Sequence, residues 1–358
     1  MKRSHDLAMV IAWPDVTARG DEMWMAVLKK LGVVKNLNFK VGHAAIILIE
    51  RSSGKMDYFD FGRYIAPRGY GRARSAVSDP RLSLSTRAAV AQDGSISNLQ
   101  TVLEELHQLE SATHGGGRMY FSIAHAINYA GAGAFAARLV GQGPVPYGAI
   151  AKGNNSCSRF VAQVLLAGMD ADHPAKTHLL FPESLKPSPM SNVVNAVADR
   201  EIYCYHNHIL KKLKITRWQS LRFQTALLSH NLSARKARLL PCDRIAGSMA
   251  EPPRPTHLPR TAQWLGGIGE GAWFCLEKST VGETYQVVKY ASHGGEEYRV
   301  VCKAGSKVDL HAPYCFTYHL QHQHYVVMQG QEKIALKAVP LSIKAESEDK
   351  NTQLQNNN

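Results

Sequence analysis

The run Ala44-Ala-Ile-Ile-Leu-Ile49 leaves this chain few options. Consecutive apolar residues of that length, closed by the turn residues Ser52-Ser-Gly54, read as a strand buried on both faces. The next run, Met56-Asp-Tyr-Phe-Asp-Phe-Gly62, makes a hairpin with it and leaves His43 at the hairpin's open end. Asp60 is then an acid inside an apolar strand, which is unfavourable unless the carboxylate is paired. His43 is the partner the hairpin offers, and a different strand register would put Asp57 or Tyr64 in that place. A histidine entering a buried strand serves packing as readily as chemistry, so a second element has to decide its role.

That element is Val145-Pro-Tyr-Gly-Ala-Ile-Ala-Lys-Gly-Asn-Asn-Ser-Cys157, a polar loop ending in one cysteine, followed by a helical segment to Gly168. Phe160, Val161, Val164 and Leu165 fall on one face at helical spacing, and Gly168 suits the helix end. Cys157 therefore occupies the first turn. The free N–H groups and the positive dipole end there favour thiolate over thiol, the form that acts as a nucleophile. A small apolar residue beginning a buried helix is the alternative.

A Gly-His-apolar strand, an acid-bearing partner strand, a long insertion, then Tyr-Gly and Asn-Ser-Cys-Ser-Arg-Phe-Val opening a helix resembles the circularly permuted papain-like superfamily. That group includes YiiX-like proteins, lecithin:retinol acyltransferase-like enzymes and relatives of NlpC-type cell-wall peptidases. The histidine precedes the cysteine, as in permuted members, over roughly residues 7–190. The resemblance implies Cys157 as nucleophile, His43 as base and Asp60 as the residue orienting the imidazole. It implies a cysteine hydrolase or acyltransferase acting on an amide or ester of a peptide, a peptidoglycan-like glycopeptide or an acyl lipid. Ser158-Arg159 follow the cysteine where acyltransferase-like members commonly have Glu-His. For the oxyanion, the Cys157 N–H is a natural donor, with Asn155 or Tyr147 as the second. Past the hairpin, the loop carrying Arg63, Tyr64, Arg68, Arg72 and Arg74 has forked donors for a carboxylate or phosphate, or else solvated loop charges. A papain-like domain that only binds its ligand, and a basic nucleic-acid-binding protein, are the competing readings.

The expected class is α+β: a papain-like domain with an antiparallel sheet and packed helices over residues 1–190, then a basic helical connector over 191–255. A small β-barrel or sandwich is expected over 256–341 and a disordered, Asn/Gln-rich tail over 342–358. The Pro-rich break at residues 252–255 makes the β domain separable from the chemistry and a recognition module. Residues 7–13 read as an edge strand, and Asp21 as the cap of a helix facing the core through Met23, Val27 and Leu31. The chain is 358 residues long with a formal charge of +13. Residues 211–240 hold eight Lys/Arg and no acid, a solvated helix face in preference to a nucleic-acid surface. The six cysteines contain no C-x-x-C pair, no signal peptide or membrane span is evident, and a reduced, cytoplasmic protein is expected. Cys204/His206/His208 and His319/His322/His324 lack ligand geometry, and Gly131, Gly133 and Gly141 lack a dinucleotide fingerprint, so neither metal nor cofactor is expected.

Overall fold

The computed structural model describes residues 5–148, 153–244 and 247–339; the tail expected over 342–358 lies outside them. In chain order the first part contributes β1 (Asp6–Trp13), the short pair β2 (Thr17–Arg19) and β3 (Asn38–Lys40), β4 (His43–Ile49), β5 (Met56–Gly62), β6 (Tyr70–Arg74), β7 (Met119–Ile127), β8 (Val145–Pro146), β9 (Glu201–His206) and β10 (Ile209–Lys214). Its helices are α1 (Met23–Lys30), α2 (Leu99–Gln108), α3 (Glu110–Thr113), α4 (Tyr129–Gln142), α5 (Cys157–Gly168), α6 (Lys176–Leu180), α7 (Pro189–Asn195) and α8 (Arg217–Leu228). Apart from β2 and β3, the strands form one antiparallel sheet in the order β10-β9-β7-β1-β4-β5-β6-β8.

Alternation along β1 and β4 sends Ala8, Val10, Ala12, Ala44, Ile46 and Leu48 to one face, against Ala136 of α4, Phe160 and Val164 of α5 and Val193 of α7. Met9, Ile11, Ala45 and Ile47 face the other way, against Val102, Leu103 and Leu106 of α2. With both faces covered, the central runs Leu7–Ala12 and Ala44–Ile49 carry only apolar side chains. That corrects the reading of residues 7–13 as an edge strand: β1 lies between β7 and β4, its Leu7 to Trp13 fully buried.

The boundary drawn at residue 190 and the helical connector after it are also corrected. α7 is buried in the first core, and β9 and β10 extend the first sheet. Lys211, Lys212 and Lys214 thus sit on an exposed edge strand, where charge discourages pairing with another sheet edge. The Arg217–Leu228 segment is helical as expected. Helix α1 departs further: Met23, Val27 and Leu31 are 88%, 55% and 71% exposed. Its N-cap is Glu22, and Asp21 is taken by Arg68 instead.

The second part comprises β11 (Gln263–Leu265), β12 (Ala272–Lys278), β13 (Tyr285–Tyr290), β14 (Glu296–Ala304), β15 (Cys315–Gln321), β16 (His324–Gln329) and β17 (Glu332–Ala338). They form an antiparallel sheet in the order β11-β12-β13-β14-β17-β16-β15. The Gln263 side chain on β11 donates to Tyr314 O and accepts from Phe316 N, so the two ends meet and the sheet is a nearly closed barrel. The histidine run does not share one strand: Gln321 pairs with His324 across a tight turn between β15 and β16.

The barrel is fastened to the first sheet. Ile65, with φ +42°, inserts into the barrel core beside Leu265 and Phe274. Its N–H donates to Glu270 O at 2.7 Å, and Gly269 N–H donates to Arg63 O at 2.9 Å.

Candidate active site

Gly42 sets up the site. Its φ of +75° suits glycine, and a Cβ there would stand 2.9 Å from Trp13 O. The chain thereby enters β4 at His43, whose ring stacks on Trp13 with centroids 5.8 Å apart. Asp60 lies opposite Ala45, two residues along from His43, so both side chains leave the same face of the hairpin. His43 Nε2 stands 3.3 Å from Asp60 Oδ2 and 3.3 Å from Tyr64 Oη. The other ring nitrogen, Nδ1, is left for Cys157, which lines the same cleft and whose charge and that of the imidazole favour one another. Cys157 is the first residue of α5, behind the N-cap Ser156, whose hydroxyl accepts from Arg159 N–H.

Asp60 is completely buried and its oxygens are fully used. Arg74 donates Nε to Oδ1 at 3.0 Å and Nη2 to Oδ2 at 2.6 Å, and Tyr58 donates its hydroxyl to Oδ2 at 3.2 Å. Burial works against the Asp60 charge, but the Arg74 cation and the His43 hydrogen bond prevail and hold its pKa at about 2. Burial likewise opposes charge on His43, yet hydrogen bonds to Asp60 and Cys157 raise its pKa to about 9. For Cys157, burial raises the pKa and the His43 hydrogen bond and charge lower it further, a net fall below the ordinary thiol value. Both shifts act in the direction of a thiolate beside an imidazolium.

Arg74 leads outward into a wider ionic cluster. Its Nη1 lies 3.5 Å from Asp79 Oδ2 and 3.6 Å from Glu270 Oε2, and its guanidinium covers the Tyr64 ring at 3.7 Å. Glu270, from the loop before β12, also meets Arg81 at 2.8 Å, Lys289 at 3.6 Å and His114 at 3.2 Å. His114 in turn stacks on Tyr64 at 4.4 Å. The barrel therefore touches the shell behind His43 directly.

A cleft of about 550 Å³ opens over Cys157 and His43, lined also by Arg63, Tyr64, Tyr147, His114 and the barrel residues Ile268 and Gly269. Of the residues expected there, Cys157, His43, Asp60, Tyr64, Tyr147 and Arg63 are brought together. Asn155 is not: its amide donates to Gln163 Oε1 at 3.1 Å, and its Oδ1 accepts from Ser156 N–H. Nor is Arg72, whose guanidinium donates to Leu320 O and Tyr318 O at 2.7 and 2.6 Å and fastens the barrel. Asp57 pairs with Leu48, one residue out of phase with Asp60, and its carboxylate binds Lys55 and Tyr129. Trp13, His114 and Glu270 were missed as parts of the site, and Arg74, expected to meet substrate or solvent, pairs with Asp60 instead. Arg74 had one legible signal, since a buried Asp60 needs more compensation than a histidine alone.

Residues 8–174 match the family model described as type VI secretion system effector TseH-like. That span contains His43, Asp60 and Cys157. Residues 262–339 match a second model, the DUF6695 C-terminal domain. The crystal structure of the type VI secretion system effector TseH superposes with a TM-score of 0.40 at 16% identity, covering 58% of this chain and 98% of that one. No curated protein matches. All six cysteines are free thiols. Among the described residues no group of three or more His, Cys, Asp or Glu could hold a metal ion, and no helix is long and apolar enough to cross a membrane.

Proposed function

We propose that this protein is a papain-like cysteine hydrolase of permuted order, acting on an amide bond. One observation carries the reading: Cys157 opens a helix and lines one cleft with His43, an imidazole whose Nε2 faces a buried carboxylate. The Cys157 thiolate attacks the carbonyl carbon, and the imidazolium of His43 gives its proton to the leaving amine. Water then attacks the acyl-enzyme as His43 takes the proton back, and the acid departs with the thiolate restored. Asp60 keeps the imidazole oriented and favours its charged form. The Cys157 N–H is the first oxyanion donor. Tyr147 is preferred over Asn155 as the second, because it lines the cleft with its hydroxyl kept protonated by burial and by the thiolate charge, its pKa at about 12. The effector family matched by residues 8–174 is consistent with a hydrolase that meets a peptide or glycopeptide substrate outside the cell that makes it.

The test is iodoacetamide labelling followed by peptide mass spectrometry across pH. Cys157 reacting no faster at pH 6 than the exposed Cys242 and Cys315 defeats the assignment.

A further inference from the structure

Helix α1 is turned the wrong way for a helix that serves the core. Met23, Trp24, Val27 and Leu31 recur along one side at helical spacing, and each is more than half exposed, as is Val33 just beyond. The other side is the one that is fastened. Met25 lies over Gly20, and Lys29 meets the buried Asp243 at 2.5 Å, whose carboxylate also accepts from Leu37 N–H. An ion pair thus holds the helix with its apolar side outward, and a contiguous apolar surface of this kind marks an interaction site.

The charges beside that surface have one sign. Lys30 and Lys35 are exposed next to it. Asn231 accepts from the Lys35 and Asn36 N–H groups and Asn36 donates to Ala237 O, which binds the segment bearing the exposed Arg235, Lys236 and Arg238 to the same unit. Leu232 and Leu239 of that segment are also more than half exposed. Over residues 23–40 and 229–244 the sole acid is Asp243, which Lys29 takes up, and Glu22 lies at the end of α1 away from Lys30. A second copy of this face would set the cations against their own kind. A nucleic acid would leave the apolar side in water. A bilayer of anionic lipid satisfies both features, because tryptophan and aliphatic side chains enter the headgroup boundary while lysines and arginines reach the phosphates.

We propose that α1 and the basic segment beside it dock this protein on the surface of an anionic lipid bilayer. Because α1 joins β2 to β3, whose Thr17 and Asn38 line the cleft with Cys157, docking brings that cleft to the membrane surface. The inference does not depend on the hydrolase reading.

Flotation of the full chain with vesicles tests it, using phosphatidylcholine alone and an equal mixture of phosphatidylcholine and phosphatidylglycerol, at low and at high NaCl. Wild type is expected to partition at least about tenfold more strongly onto the anionic vesicles at low salt and to lose most of that preference at high salt. Trp24→Gln with Leu31→Gln, and separately Lys30→Gln with Lys35→Gln, should each lower partitioning by about tenfold or more. These four side chains are exposed, so the thermal melts of both variants should match wild type. No binding of wild type to anionic vesicles, or equal binding to the two compositions, overturns the proposal even if a variant fails to fold. Binding that both folded variants retain overturns it as well. Absent vesicle binding together with a dimer that Trp24→Gln with Leu31→Gln dissolves, read by analytical ultracentrifugation, gives the face to a second copy instead.

Discussion

Asp60 meets His43 through one carboxylate oxygen and Arg74 through both. The carboxylate that orients the imidazole is thus also the counter-ion of a buried guanidinium, and the two roles cannot be mutated apart. Asp60→Asn should weaken Cys157 reactivity and also destabilise the fold by up to about 3–5 kcal/mol, because it removes the carboxylate that accepts the two short hydrogen bonds of the buried Arg74 and leaves only the longer contacts to Asp79 and Glu270. Urea denaturation at pH 7 reads this out. The Asp60 pKa is depressed from 3.8 to about 2, so its contribution is present above 3.8 and lost as pH falls through about 2. The gap between wild type and Asp60→Asn should accordingly narrow with acidification over that window.

Cys157 should alkylate at pH 6, where an ordinary thiol with a pKa of about 8.5 is almost wholly protonated. Above about 9 the His43 proton is lost, so alkylation continues while any turnover that needs the imidazolium falls. His43→Ala removes the partner that lowers the thiol pKa and leaves burial to raise it. Labelling at pH 6 should drop by about tenfold or more, one pKa unit being a factor of ten. Rates unchanged between the two proteins would sever the histidine from the thiol.

The barrel is expected to be indispensable for the chemistry. A chain ending at residue 250 loses Glu270, exposes Ile65 and strips Arg72 of its two carbonyl acceptors. It should aggregate, or stay soluble with Cys157 no longer selectively labelled. Glu270→Gln in the full chain should preserve the fold and slow labelling at pH 6, since it alters the charge behind Arg74, Tyr64 and His114. Full selective labelling in the shortened chain would restore the separable-module view that the Pro-rich break suggested.

On α1, Val27→Gln should change stability by no more than about 0.5 kcal/mol, because that side chain is already more than half exposed. A thermal melt is sufficient to check it. A large loss would mean the helix packs as its apolar spacing suggested.

Local sequence determined the pieces of this site, and for physical reasons that act over a few residues. The apolar run Ala44–Ile49 and the turn after it dictate the hairpin, and period-two alternation aligns His43 with Asp60. Helical spacing after Cys157 puts the thiol in a first turn. The same local signals misled where burial depends on distant partners. The spacing on α1 suits a core that the fold never brings to it, and the Pro/Ser-rich stretch before residue 191 is followed by a helix and two strands of the first unit. Which of the arginines near residue 70 meets an acid, a carbonyl or the open cleft was likewise decided by tertiary structure. Arg74 faces Asp60 across β5 and β6, Arg72 reaches the barrel, and Arg63 stays in the cleft. A guanidinium's partner is chosen by what the rest of the chain brings within hydrogen-bond reach, and for Arg72 those acceptors lie more than two hundred residues away in sequence.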